Sequence, residues 1–392
     1  MECTPMLYFL LALLPLLCFL KSHLASRISH HGNSLRLPPS PWQLPIIGSL
    51  HHLHGALPHH ALRKLARRHG LIMLLKFGEV PVIVASSREA AKEILKTHDA
   101  ITATRPQTTT FKILSKRGQG IALAPYGDHW RQLRKICNME LLSQKHVQSF
   151  WTIREDEAAR LVQSIASPSA SPMNLSKMLA GYVADAALRA IMGDRLRDRD
   201  AFIQQLAEGD LFAGSNDTSA TTLQWTMAEL MRNPGVMLKL QDEVRGAFAA
   251  MTKVTEEGLQ SRESIERCQI LGYEVPKGTM VMVNAGALSI DPEYWDEPEV
   301  FRPERFEDTE KDFKGNEFEF IPFGAGRRIC PGMFFGLANI ELALANLVFY
   351  FDWSLPEGVS CNELDMTESA GITVRKKSDL WVRATPHAML AR

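Results

Sequence analysis

The sequence predicts a mainly α-helical protein with small β-sheets, an α+β class. Three observations predict it. Asp210 to Met231 is apolar nearly all round, the pattern of a helix buried at the centre of a domain. Met333 to Phe351 is a second long apolar helix, opened by Pro331 and Gly332 after a glycine-punctuated loop. The β signal is confined to short runs, Leu71 to Ala85 alternating around Gly78 and Cys268 to Val283, which suit small sheets only.

With 392 residues and 45% hydrophobic content, the chain can bury one large core or two ordinary ones. Lys plus Arg and Asp plus Glu are both 44, so the net charge is zero and nothing asks for nucleic acid or an acidic partner. The six cysteines are scattered without a C-x-x-C pair, which fits a reducing compartment rather than a disulfide framework.

In chain order, residues 1–20 form an apolar run followed by Lys21, His23 and Arg27, which reads as a membrane anchor with the bulk of the chain on the cytosolic side. A cleaved signal peptide is the rival. Glycan at either sequon, Asn174-Leu-Ser176 or Asn216-Asp-Thr218, would discriminate between them. Residues 21–49 make a linker ending in a proline-dense hinge, and 50–392 form the main folded domain. The five histidines between His51 and His60 match no ligand spacing and read as solvated surface. Ser86 and Glu89 predict a capping box for a helix ending near His98. Arg105 to Ala124 is a long Gly/Thr-rich loop of the functional kind. Tyr126 to Met139 reads as a helix with Trp130 and Arg134 at i and i+4 on one face. Gln144–Ile165 and Asn174–Met192 are two further helices, and Asp194–Asp200 is a solvated charged turn. Within the central helix, Gly214 to Ser219 is small and polar. There the Thr218 hydroxyl can bond the Gly214 carbonyl, bending the helix, and Asp217 beside it can relay protons. Pro234 opens the next helix, Cys268–Val283 reads as two strands joined at Pro276-Lys277-Gly278, and Asp291–Phe306 is a proline-rich meander. Glu368–Thr373 reads as a β-turn, with the last strand near Leu380–Ala384.

Cys330 organises the rest. A sulfur delivered onto a helix start receives backbone N–H donors and the positive end of the helix dipole, which favours the metal-binding thiolate. Phe323 offers a ring, Gly326 and Gly332 allow close backbone approach, and Arg328 offers a guanidinium for a carboxylate. The partner these features describe is a haem with propionates and one axial thiolate. Phe323, Gly326, Arg328, Cys330 and Gly332 resemble the F-x-x-G-x-R-x-C-x-G signature of cytochrome P-450 monooxygenases, of the plant microsomal type. Trp130 and Arg134 resemble the family's W-x-x-x-R, whose side chains bind a propionate, and Gly214, Asp217 and Thr218 resemble its (A/G)-G-x-(D/E)-T, with Ser215 where the second glycine is expected. The resemblance implies haem b (iron protoporphyrin IX) held by Cys330 as the metal ligand. It also implies Asp217 and Thr218 as proton-delivering catalytic residues, and electrons from an NADPH-dependent flavoprotein reductase. A single-pass endoplasmic reticulum membrane location and insertion of one oxygen atom from O2 into a small hydrophobic substrate complete the expectation.

Two joins depart from the family. At Gly209–Asp210 the chain enters the central helix with no room for the F, G and H helices, and at Gln260–Ser261 it lacks the K helix and its E-x-x-R. Glu157 and Arg160 meet that spacing in an earlier helix and are not a substitute. The fold expected is therefore a cytochrome P-450 fold, incomplete. Leaving Arg305 of the meander as a buried charge without its partners would cost roughly 3–5 kcal/mol of a total near 5–15, and the lost roof would bare apolar surface on the central helix. The alternative function is that of an internally deleted, non-catalytic remnant.

Overall fold

The computed structural model describes residues 36–106, 120–167, 171–193, 210–248, 269–276, 278–307, 309, 311–371 and 373–387, excluding the side chains of 210–213, 215 and 248. The segment expected as an anchor, most of the Gly/Thr-rich loop, the charged turn expected after Gly193 and most of the two joins lie outside the described residues.

The main helices are α1 (Pro58–His69), α2 (Arg88–Lys92), α3 (Asp128–Ile136), α4 (Gln144–Ser149), α5 (Trp151–Ala166), α6 (Leu175–Met192), α7 (Asp210–Arg232), α8 (Pro234–Phe248) and α9 (Met333–Tyr350). The strands are β1 (Ile72–Phe77), β2 (Val80–Ala85), β3 (Met173–Asn174), β4 (Gln269–Ile270), β5 (Tyr273–Glu274), β6 (Met280–Val283), β7 (Phe351–Ser354), β8 (Glu368–Ser369), β9 (Arg375–Lys376) and β10 (Trp381–Pro386). The described residues divide into two compact units, one of 36–104, 269–299 and 311–329, the other of 105–248, 300–309 and 330–387.

The first unit is built on the sheet β1-β2-β6. β1 and β2 form the expected hairpin about Gly78, and β6 joins β2 in parallel with Ile83 opposite Val281. Alternation along the hairpin puts Met73, Leu75, Val82 and Val84 in one apolar cluster with α1, and Ile72, Ile83 and Ala85 in a second cluster with α2 and Ile270. The expected turn at Pro276-Lys277-Gly278 is not the hairpin turn. β4 pairs with β5 through Leu271 and Gly272, at φ +47° and +76°, the two-residue turn whose positive φ values match strand twist. The cap of α2 is Ser87, accepting from the Ala90 N–H, rather than Ser86. After Lys92 the helix widens into a π turn over Glu93–Thr97.

The second unit packs α5, α6, α7 and α9 with β7 and β10 around Leu179, Leu223, Met227, Leu347 and Phe351, all fully buried. Burying five such side chains stabilises by roughly 1.5–3 kcal/mol each. Helix α9 is long and apolar enough by length and composition to cross a membrane, yet Ala343, Leu347 and Val348 lie in this core, which accounts for its composition. Phe351, expected as its last residue, instead starts β7. The segment 144–166 is two helices broken at Phe150, and Asn174 caps α6 by accepting from the Lys177 N–H.

Helix α7 is continuous from Asp210 to Arg232. Its buried face is apolar, but Gly214, Thr218 and Thr222 are exposed, so the described part does not bare the apolar surface expected of a roofless helix. The hydroxyls of Thr218, Thr222 and Thr226 each bond the carbonyl four residues back, which leaves this polar stripe satisfied. Arg305 also corrects an expectation. It is half-buried, and its guanidinium donates to the carbonyls of Val300 and Arg302, so it is not the stranded charge on which the large penalty rested. Glu157 pairs with Arg189 at 2.8 Å in a local network between α5 and α6, in keeping with its rejection as a K-helix acid.

Candidate active site

The first unit ends in the loop that carries Phe323, Gly326 and Arg328. Phe323 meets Phe313 edge to face, with centroids 6.0 Å apart. Gly326 starts a short 3₁₀ turn, Gly326–Arg328, at φ +67°, and a Cβ there would lie 1.8 Å from the Leu95 carbonyl oxygen. No other residue fits, because the loop is laid directly on the π turn. Arg328 donates from Nε to the Ala103 carbonyl at 2.8 Å. Beside it, Arg327 makes a largely buried ion pair with Asp99 at 3.1 Å. The motif does not single out Arg327. Its signal in the sequence is only the doubled arginine, and its partner lies 228 positions away.

The second unit takes up the chain at Cys330. The sulfur is half-buried, accepts the Gly332 N–H and precedes α9, as the sequence predicts. The expectation that this setting favours the thiolate is corrected. Burial pushes the Cys330 thiol up, and the Gly332 N–H and the nearby Arg134 guanidinium only partly draw it back. One N–H and one partly buried cation do not offset desolvation of the sulfur, so it rests as the thiol.

Trp130 and Arg134 share one face of α3 as predicted. Trp130 is buried, its indole N–H donating to the Ile121 carbonyl at 2.8 Å. The Arg134 guanidinium lies 6.0 Å from the Trp130 ring centroid. Burial lowers its pKa, and the charges that oppose this are the sulfurs of Cys137 and Cys330. Among the described residues no carboxylate pairs with it. A half-buried arginine beside a cysteine sulfur, lacking an anionic partner, fits a group that brings both a metal and carboxylates. The residues present therefore fit a haem.

Asp217 and Thr218 lie on α7 in the same unit. Thr218 makes the predicted back-bond to the Gly214 carbonyl at 2.5 Å. Asp217 is engaged elsewhere: Oδ1 pairs with Arg375 and Oδ2 accepts from the Thr373 hydroxyl, both at 2.5 Å. Neither partner was foreseen, since both lie more than 150 residues further on.

With this arrangement in view, comparison with known proteins is decisive. A family model described as Cytochrome P450 matches residues 38–208, 206–262 and 257–382. The chain belongs to the cytochrome P450 family. P450s of this kind are haem-dependent monooxygenases, and this chain is similar to plant members. It is 38% identical to desmethyl-deoxy-podophyllotoxin synthase of Sinopodophyllum hexandrum, over 95% of this chain and 96% of that one. It is 37% identical to 5-epiaristolochene 1,3-dihydroxylase of Nicotiana tabacum (91% and 94%) and 36% identical to premnaspirodiene oxygenase of Hyoscyamus muticus (91% and 94%). A zebra fish cytochrome P450 solved with abiraterone shares the fold, at TM-score 0.71 and 20% identity, over 84% of this chain and 99% of that one. The P450 model breaks at 206–208 and 257–262, close to the two joins noted in the sequence. The first of these alignments runs over 490 positions, more than the 392 residues of the chain, so that relative carries residues this P450 lacks.

Proposed function

We propose that this chain is built as a haem-thiolate monooxygenase that inserts one oxygen atom from O2 into a small hydrophobic plant metabolite. The observation that carries the reading is Cys330 at the start of α9 beside Arg134, on a loop with the whole F-x-x-G-x-R-x-C-x-G pattern. Haem b, when bound, supplies activation of dioxygen, and an NADPH-dependent flavoprotein reductase supplies the electrons. Cys330 would hold its iron through the sulfur, a strong electron donor suited to that chemistry. Phe323, Gly326 and Gly332 shape the loop around it, and Arg134, Trp130 and Arg328 hold propionates. Asp217 would take up protons from solvent and Thr218 would pass them on toward the haem site. Two relatives are named for oxygenating premnaspirodiene and 5-epiaristolochene, which supports the substrate class. Residues 1–20 are read as the anchor to the endoplasmic reticulum membrane, 21–49 as linker and hinge, and 50–392 as the cytosolic catalytic domain.

A second reading has its own observation. The family match is interrupted near both joins, which supports an internally deleted product that keeps the haem-binding residues but lacks the F–G–H roof and the K helix. The carbon monoxide difference spectrum of the reduced, purified chain tests both. A Soret band at the thiolate position supports the oxygenase. A band at the imidazole-like position, or none, leaves a non-catalytic remnant.

A further inference from the structure

The Asp217 carboxylate has no oxygen to spare. Arg375 pairs with Oδ1 and the Thr373 hydroxyl donates to Oδ2. Arg375 Nε also lies 3.5 Å from the same hydroxyl, so the three side chains close a ring of contacts. The partners sit on one hairpin, β8–β9, where Glu368 pairs with Lys376 and Ser369 with Arg375. That hairpin is fastened to α7 a second time, by the Trp225 indole N–H donating to the Val374 carbonyl at 3.0 Å. Asp217 and Trp225 are eight residues apart, about 12 Å along the helix axis, so the hairpin lies as a strap along two turns of α7. Its tip is tight: a Cβ at Gly371 would come within 2.8 Å of the Thr373 carbonyl oxygen.

We propose that Arg375 and Thr373 are positioning residues for Asp217, a latch that holds its carboxylate on the β8–β9 hairpin and away from the Thr218 side of the helix until a ligand seated against the hairpin draws it off. The inference rests on the proposed role of Asp217 in proton delivery. Neighbouring positions on a helix point about 100° apart, so Asp217 held by the hairpin does not face Thr218, whose own hydroxyl is committed to Gly214. The latch is built to open. The Arg375 side chain is 59% exposed and that of Asp217 31%, so solvent screens the pair and substrate contacts can outweigh it. An unlatched carboxylate passes protons whether or not substrate is present. Without substrate, dioxygen then takes two electrons from NADPH through the reductase and two protons, and leaves as hydrogen peroxide.

The test has two arms. In the chain as expressed, with or without haem, isotope-edited infrared spectroscopy isolates the Asp217 carboxylate stretch by difference against Asp217→Asn. Arg375→Gln and Thr373→Val shift that band, and Arg375→Lys, which keeps the cation, restores it toward its original position. An unmoved band in Arg375→Gln overturns the latch. In haem-loaded protein with reductase and NADPH but no substrate, Arg375→Gln releases peroxide several-fold faster, Arg375→Lys does not, and Asp217→Asn/Arg375→Gln behaves as Asp217→Asn alone. Equal peroxide release by Arg375→Gln and the unaltered chain overturns the latch's control of proton delivery. A chain that shows the band shift yet takes up no haem overturns the monooxygenase reading and leaves the latch standing.

Discussion

The cysteine loop and the Asp217 stretch of α7 are held in opposite ways. Around the loop the fixings are backbone contacts and buried side chains: Gly326 against the Leu95 carbonyl, Arg328 on the Ala103 carbonyl, Arg327 buried with Asp99. Around Asp217 the fixings are side-chain tips that are partly in water, with Thr218 and Thr222 exposed. The cysteine loop is rigid by construction, while the Asp217 stretch rests on side-chain contacts that solvent screens.

The largest effect expected is at the sulfur. Cys330→Ala removes the thiolate Soret band altogether, while the half-buried position keeps the loss of stability near 1 kcal/mol, measured by urea unfolding of the same preparations. Survival of the band in this variant would overturn the assignment of Cys330. Next comes Gly326→Ala. Its added methyl meets backbone that cannot swing aside, and positive φ strains it further, so a loss of about 3 kcal/mol or more is expected in chemical denaturation. A loss under 1 kcal/mol would mean that the loop is not rigid and would erase the contrast.

These two positions were legible in the sequence because their information is local. A cysteine, its glycines and the helix that follows lie within about ten residues, and their spacing survives whatever the rest of the chain does. The predicted Thr218 back-bond is local in the same sense, four residues along one helix. Partners brought from afar were not legible. Asp99 for Arg327, Arg375 and Thr373 for Asp217, and the parallel pairing of β6 on β2 all depend on topology that no window of sequence contains. The Pro276-Lys277-Gly278 punctuation misled for a related reason. It marks a turn, but the strand it introduces pairs with β2 far upstream, and the hairpin was made by the plainer Leu271-Gly272.

Smaller effects sharpen the comparison. Asp352 pairs with Arg245 at 2.9 Å, tying β7 to α8. Burial alone would raise its pKa, but Arg245 and His387 outweigh it and hold the carboxyl below its ordinary value. A lowered folded pKa gives stability that is present above the unfolded value near 3.9 and is lost as pH falls through the folded one. The Asp352→Asn variant is therefore expected to melt below the unaltered chain at pH 7 and to match it in strong acid. Half of this side chain is in solvent, so the difference stays under about 1 kcal/mol. Smallest of all is Thr218→Val. At an exposed helical position it changes stability by no more than about 0.5 kcal/mol, while in haem-loaded protein it diverts electrons from product to peroxide. A large loss of stability there would place Thr218 in the rigid class and collapse the distinction.

The parallel pairing of β2 with β6 has a kinetic consequence. The two strands are joined side by side although almost 200 residues separate them, with α3 to α8 of the second unit lying between them in sequence. As the chain leaves the ribosome at about 5–20 residues per second, the β1–β2 hairpin waits for ten seconds or more with one edge open. Closing so long a loop is slow, and an unpaired apolar edge is prone to aggregate while it waits. Every residue added to the intervening stretch lengthens that wait. Yield of soluble protein is then set in part by how long this edge stays open, a property separate from the capacity to hold haem.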